Sequence, residues 1–361
     1  MQKILPRILT LLQCLILSGT ASISAQNFIW SAEFVSFFDN WEYKYKDMPL
    51  GTLFATRLTP TLGVAFEHHS ISAGISWIQP IDSRLETAKF KPSIYYRYDT
   101  KPFAMSMGIF PRTQLIEPLD DFMCSDSTIF YSPNIQGALF QHRSDKGYVE
   151  ALIDWRGIVS ETTREAFMVV AQGRAYLSPW LNAGGAVALN HLALKQKTSP
   201  DFYDNVTDNF MIRPYVGVDF SHRTVLDSLT LRCGYLVTLD RERSVTDWIV
   251  SHAFVADLTV EWRFLGLRNK FYYGTPAMNF YDRMGSELYQ GESYYRVPWH
   301  DRLDIYAYIF RNSFVNCFAS VNFYFTPEKL GWQQQFVVRA YIDQAFKKRN
   351  KSHTAISNIF H

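Results

Sequence analysis

Residues 148–157, Tyr-Val-Glu-Ala-Leu-Ile-Asp-Trp-Arg-Gly, decide how the rest of the chain is read. Val149, Ala151, Ile153 and Trp155 fall on one parity; Glu150, Asp154 and Arg156 fall on the other. Side chains of a β-strand point to opposite faces with period two, so this segment is a ribbon with an apolar side and an ionic side. The pattern recurs. Leu229 to Asp240 sets Leu229, Leu231, Cys233, Tyr235, Val237 and Leu239 against Thr230, Arg232, Gly234, Thr238 and Asp240. Phe254 to Phe264 sets Phe254, Ala256, Leu258, Val260, Trp262 and Phe264 against Asp257, Thr259, Glu261 and Arg263, and Val315 to Phe325 alternates as cleanly. Such runs have the length, about 9–11 residues, that a tilted strand needs to cross a bilayer.

Carried along the chain, the same parity predicts strands over 28–38, 52–67, 70–80, 90–100, 102–110, 135–144, 148–157, 166–177, 181–193, 210–220, 229–240, 254–264, 269–277, 302–311, 314–325 and 333–346. The weakest are 135–144, with mixed parity, and 269–277, which holds Gly274 and Pro276, so fourteen strands would also fit. Short connectors at His68-His69, Thr100-Lys101, Asp145 to Gly147, Ser178 to Trp180, Ser221 to Ser228, Leu265 to Arg268 and Asn312-Ser313 alternate with longer ones. The longer ones are 39–51, 81–89, 111–134, 158–165, 194–209, 241–253, 278–301 and 326–332. Short periplasmic turns and longer outside loops are the rhythm of outer-membrane barrels. In lipid every backbone polar group needs an internal partner, which only helices and closed barrels supply. A soluble sandwich would use strands of about 5–6 residues. Trp30, Trp77, Tyr98, Trp155, Trp180 and Trp262 near strand ends read as interfacial girdles. The expected fold class is all-β: a transmembrane antiparallel up-and-down β-barrel of about 16 strands with no plug domain.

The expected organisation is a signal peptide over 1–25, an outer-membrane barrel over 26–346 and a basic tail over 347–361. Lys3 and Arg7 precede the apolar run Ile8 to Leu17, and Ser22 to Ala25 offers a small-residue cleavage zone. That run is shorter than the roughly 20 residues of a spanning helix. Aromatics make up 16 % of the chain and charged residues 19 %, a balance suited to strands with one greasy and one polar face. A net charge of +2 gives no domain-wide basic excess, so nucleic acid is not expected as a partner. Beyond the leader, Cys124, Cys233 and Cys317 are an odd set that makes no disulfide framework. No cofactor is expected, and His68 and His69 lack a third ligand for a metal.

Parity sorts the charges onto the inner wall, because a cation facing lipid at mid-membrane costs about 2–4 kcal/mol. The pore-lining candidates are Arg57, Arg97, Asp99, Glu150, Asp154, Arg156, Arg174, Arg213, Asp219, Arg232, Asp257, Glu261, Arg263 and Arg339. They either set a field across a water-filled pore or neutralise one another in a closed lumen. Sixteen strands leave room for an aqueous channel. The third outside loop, 111–134, carries Glu117, Asp120, Asp121 and Asp126 against Arg112 alone, which makes it the candidate constriction. The 278–301 loop holds Tyr281, Tyr289, Tyr294, Tyr295, Trp299 and His300, and would either gather a surface glycan or close over the barrel mouth. Catalysis has little visible support, since no Gly-x-Ser-x-Gly elbow is present. His191, on the apolar parity beside Asn190, reads as a rim histidine; hydrolysis would have to run through it or a nearby serine.

The tyrosine- and phenylalanine-rich strands, with Ser313-Phe314-Val315-Asn316-Cys317 and Gly331-Trp332-Gln333-Gln334-Gln335 near the end, resemble outer-membrane proteins of Bacteroidota. In strand number and loop rhythm the layout is similar to general porins. That resemblance implies a third loop folded inward against Arg97, Arg156 and Arg174. Such proteins commonly end on an aromatic read by the barrel assembly machinery, whereas Phe346 here precedes fifteen further residues. The function expected is thus a porin-like channel, without enzymatic activity, in the outer membrane of a Gram-negative bacterium. It would contact outer-membrane lipid and pass small polar solutes. The alternative is a non-conducting structural or surface-binding barrel that partners an envelope or secretion complex.

Overall fold

A computed structural model describes residues 27–42, 51–81, 87–196 and 205–344; the expected leader and tail lie outside these. The strands are β1 (Asn27–Trp41), β2 (Gly51–Phe66), β3 (His69–Pro80), β4 (Lys89–Asp99), β5 (Phe103–Pro111), β6 (Asn134–Ser144), β7 (Gly147–Gly157) and β8 (Ala166–Tyr176). They continue as β9 (Leu181–Leu192), β10 (Thr207–Asp219), β11 (Ser228–Glu242), β12 (Ile249–Trp262), β13 (Leu265–Gly274), β14 (Trp299–Arg311), β15 (Val315–Phe325) and β16 (Leu330–Asp343). Each pairs antiparallel with its neighbour in sequence, and β1 closes on β16 from Ser31 opposite Asp343 to Trp41 opposite Gln333. The result is a closed sixteen-strand barrel, which leaves no sheet edge unpaired. Both doubtful segments are strands, which removes the fourteen-strand alternative.

The mixed parity of β6 comes from its surroundings: Ile135 and Leu139 turn inward and are buried, while Gln136 and His142 are exposed outside. Gly137 faces Gly108 of β5, and both sit at positive φ, 154° and 118°. A Cβ would fall 2.3 Å from the Ile153 carbonyl oxygen at Gly137 and 2.4 Å from that of Ile94 at Gly108. Each glycine leaves room for the backbone of the strand on its far side, β7 at Gly137 and β4 at Gly108. Near the next hairpin the expected turn at Leu265 to Arg268 is corrected. Arg263 takes a left-handed φ of 56°, so the turn closes in Arg263-Phe264 and Leu265 already pairs with Trp262. Pro276 then falls beyond the strand, where its missing N–H costs no ladder bond. The loops expected over 241–253 and 278–301 shrink for the same kind of reason, since β12 starts at Ile249 and β14 at Trp299.

The exterior carries the apolar parity: Trp30, Trp77, Trp155, Trp180 and Trp262 are all exposed there. Inside, the half of the barrel nearest the long loops is filled. The 112–133 connector, with helix α1 (Asp126–Tyr131), and the 275–298 connector, with helix α2 (Tyr281–Leu288), both turn into the lumen. Leu119, Phe122, Met123, Met284, Tyr289 and Tyr295 pack there against Leu139, Leu152, Met168, Met211 and Val255 of the inner wall. The sixteen inner faces are therefore not uniformly polar. The two connectors also bond to each other, Ser125 N donating to Gln290 O at 2.8 Å and Glu292 N to Asp121 O at 2.7 Å. Among the described residues there is no separate plug domain; two loops occupy that place.

Candidate functional site

The lumen brings most of the expected charges together as pairs. Arg57 and Arg339 both meet Glu33, at 3.2 and 2.7 Å. Arg57 also donates to the carbonyls of Ile129 and Phe130, neutralising the carboxyl end of α1. Arg97 holds Asp99 at 2.7 Å and Gln114 of the inward loop at 3.0 Å. Glu117 takes Arg174 at 2.5 Å and Arg232 at 3.4 Å; Asp120 takes Arg213 at 2.8 Å. Arg213 also grips Asp257. Asp121 accepts from Lys270 at 2.7 Å and from the hydroxyls of Tyr294 and Tyr295 at 2.5 Å, and Asp126 faces Arg302 at 3.5 Å. Glu150 accepts from Ile116 N, Gln141 and Gln172, and Asp154 holds Arg112 at 2.5 Å. Glu261 gathers Tyr306, Tyr308 and Arg311.

Three candidates behave differently. Arg156 does not face the acidic loop, because its guanidinium donates to Glu287 O of the 275–298 connector at 3.2 Å. Asp219 accepts from Ser221 N at 2.9 Å, shaping the β10–β11 turn. Arg263 sits in a turn, 5.0 Å over the Trp262 ring. Below the two loops lies a cavity of about 1750 Å³. Its lining runs from Asp227 and Ser313 at the short-turn end to Asp120, Asp121 and Asp126 beneath the loops.

Burial shapes the loop carboxyls. Desolvation pushes the half-buried Asp121 up, but Lys270 and the two tyrosine hydroxyls outweigh this and hold it well below the usual range. For Glu292, burial together with the Asp126 charge outweighs the pull of Arg302 and pushes it up to about 8. Asp126 is also raised, by burial, against the pull of Arg302. The Cys124 thiol, whose place the sequence left open, is sealed in the loop core and pushed up to about 11. It is a packing residue. The aromatic 275–298 connector turns Tyr289, Tyr294 and Tyr295 inward and buries them, which leaves Tyr281 and Trp299 half-buried.

The outside of the wall holds a second arrangement at the long-loop rim. Strand register lines up one outward side chain from each of five strands: Trp155, Phe167, His191, Asp208 and Arg241. The Trp155 and Phe167 rings stack at 5.2 Å, and the Phe167 and His191 rings at 4.8 Å. His191 Nδ1 lies 2.7 Å from Asp208 Oδ1. An ionised carboxylate only accepts, so Nδ1 is the donor, and in the neutral ring this leaves Nε2 as the acceptor. Arg243 donates to both oxygens of Asp208, at 2.8 and 3.1 Å. Among the described residues no hydroxyl bonds to the imidazole, and no group of three or more His, Cys, Asp or Glu is placed to hold a metal. His191 was visible in the sequence as a rim residue. Asp208 was not, because it fell in the expected 194–209 loop.

Comparison with known proteins shows the fold clearly. OprD from Pseudomonas aeruginosa is 8% identical with a TM-score of 0.54, over 88% of this chain and 94% of that one. OpdK from Pseudomonas aeruginosa, solved with vanillate, is 8% identical with a TM-score of 0.52, over 88% and 99%. OpdL of the same organism is 10% identical with a TM-score of 0.52, over 89% and 100%. At such identity the likeness is one of fold alone, a closed antiparallel β-barrel. No curated protein matches the chain. A family model described as Lipid A 3'-O-deacylase-type matches residues 21–334. This overturns the expectation of a protein without enzymatic activity, since the family is described by an enzyme. By that match, which spans nearly all of the barrel, the chain belongs to the Lipid A 3'-O-deacylase-type family.

Proposed function

We propose that this protein removes an ester-linked acyl chain from a saccharide lipid of the outer leaflet, lipid A being the substrate class, on the outside of its barrel wall. The observation that supports this most directly is the His191–Asp208 pair, held at 2.7 Å on the lipid-facing surface at the long-loop rim. Long loops face outward in barrels of this kind, so the pair sits at the level of outer-leaflet headgroups in a Gram-negative outer membrane. Asp208 orients the imidazole and stabilises the imidazolium. His191 Nε2 takes a proton from water as its oxygen attacks the acyl carbonyl. As the acyl C–O bond to the sugar breaks, the imidazolium gives its proton to the departing sugar oxygen, giving a free fatty acid and an alcohol. Arg243, beside Asp208, supplies positive charge near the developing oxyanion. The test is release of fatty acid from vesicles containing lipid A. His191→Asn should lower the rate by about 10²–10⁴, and an unchanged rate would exclude this site.

A second reading is favoured by the charged cavity of about 1750 Å³ below the loops. In it the barrel passes small polar solutes, with selectivity from paired inner-wall charges and with the 112–133 loop as constriction. Planar-bilayer conductance tests it. Deleting residues 115–130 should raise single-channel conductance several-fold, and silence in both proteins would exclude a channel.

A further inference from the structure

We propose that the long-loop rim of the β9–β11 wall holds a phosphate on the headgroup of a membrane lipid, with Arg241 and Arg243 as its ligands. This rests on the reading of the rim as the working face, and not on hydrolysis itself. Two guanidiniums and one carboxylate share the spot. Asp208 is nearly buried and its oxygens are taken by Arg243 and His191. Arg241 stands 3.7 Å from the same carboxylate, beyond hydrogen-bond range, and makes no hydrogen bond among the described residues. Its Nε–H is shielded from solvent without an acceptor. The Arg241 guanidinium carbon lies 4.5 Å from the centre of the Trp248 ring, a cation–π contact that holds the side chain at the rim. Arg243 keeps one terminal nitrogen free of Asp208 and is half exposed. One positive charge is thus left over, with spare donors in a fixed fork that suits a phosphate.

The surroundings point to a lipid as the bearer of that phosphate. Down the wall from the cations the outward side chains are apolar: Val187 and Leu189 on β9, Val237 and Leu239 on β11. Exposed Trp248 and Val250 flank them. A free anion would meet the arginines alone, whereas a lipid gains the arginines and the apolar wall together.

The experiment measures retention of lipids by the full barrel in detergent, using native mass spectrometry. The probes are lipid A with its phosphates and the same lipid dephosphorylated. Wild type should retain the phosphorylated form about tenfold better, the scale of one charge-assisted bond at a half-exposed site. Arg241→Gln/Arg243→Gln should remove that preference, while Arg223→Gln at the opposite rim should keep it. Heat-modifiable migration on gels verifies that each variant is folded. An undiminished preference in the double variant overturns the proposal, as does equal loss in Arg223→Gln. Full competition by millimolar inorganic phosphate also overturns it, since the site would then bind a free anion. Retention that survives in His191→Asn, with no fatty acid released by wild type, would sink hydrolysis and leave this proposal standing.

Discussion

His191 Nδ1 and Asp208 Oδ1 lie 2.7 Å apart on the lipid-facing side of the wall, although they are 17 positions apart in sequence. The β9–β10 register puts them directly opposite each other. The contact depends on β10 beginning at Thr207, so the pair belongs to the rigid wall rather than to the loop between the strands.

Asp208→Asn should lower deacylation by about 10⁴-fold, because an amide can hold the imidazole in the wrong tautomer and no longer offsets the imidazolium charge. Fatty-acid release with the variant and wild type in one vesicle preparation measures this. Equal activity of Asp208→Asn and wild type would remove Asp208 from the mechanism.

Arg213 is buried between Asp120 of the inward loop and Asp257 of the wall. Changing both acids to Asn leaves a buried, unpaired cation and should cost about 3–5 kcal/mol. Adding Arg213→Met to that background should recover much of the loss, since an apolar side chain asks for no partner. Urea midpoints of the heat-modifiable band report both effects.

Glu292 makes docking of the two inward loops depend on pH. Its docked pKa is raised to about 8 from an ordinary 4.5, so the docked state binds the extra proton. The contribution is complete below about pH 4.5 and is lost as pH rises through about 8. Asp126 shifts in the same direction. Amide exchange in 275–298 should therefore quicken between pH 5 and pH 9 beyond the intrinsic base-catalysed rise. Glu292→Gln should flatten that excess, and a wild-type profile with no excess would refute the coupling.

Phe122 joins the loop core to the wall, edge-on to Tyr295 at 6.0 Å and beneath Arg213 at 5.8 Å. Phe122→Ala should weaken loop docking by about 3–5 kcal/mol. Protease cleavage within 112–133 should become faster while the barrel band stays intact. Unchanged cleavage would mean that the loop is held by its ion pairs alone.

Much of the wall is legible in the sequence alone. Alternation of period two places the strands to within a few residues, because facing is a local property of each segment. It fails where a residue leaves the regular backbone, as Arg263 at positive φ moves a turn, and where the inner side is apolar, as Ile135 and Leu139 blur β6. Candidate charges on the inner wall follow from the same parity. The acidic 112–133 loop does lie against Arg97 and Arg174, while Arg156 turns to the other connector. The apolar filling of the lumen is hidden, since Leu152 and Met168 carry the polar parity and look like breaks in the pattern.

The order of residues by itself determined a membrane-spanning barrel and which side chains look outward, for these follow from neighbours one and two positions apart. Only the tertiary structure decided that two loops close over the cavity and that His191 finds Asp208 outside the wall. Those contacts join segments distant in the chain. They are set by strand register and by burial of loop side chains, neither of which repeats along the sequence.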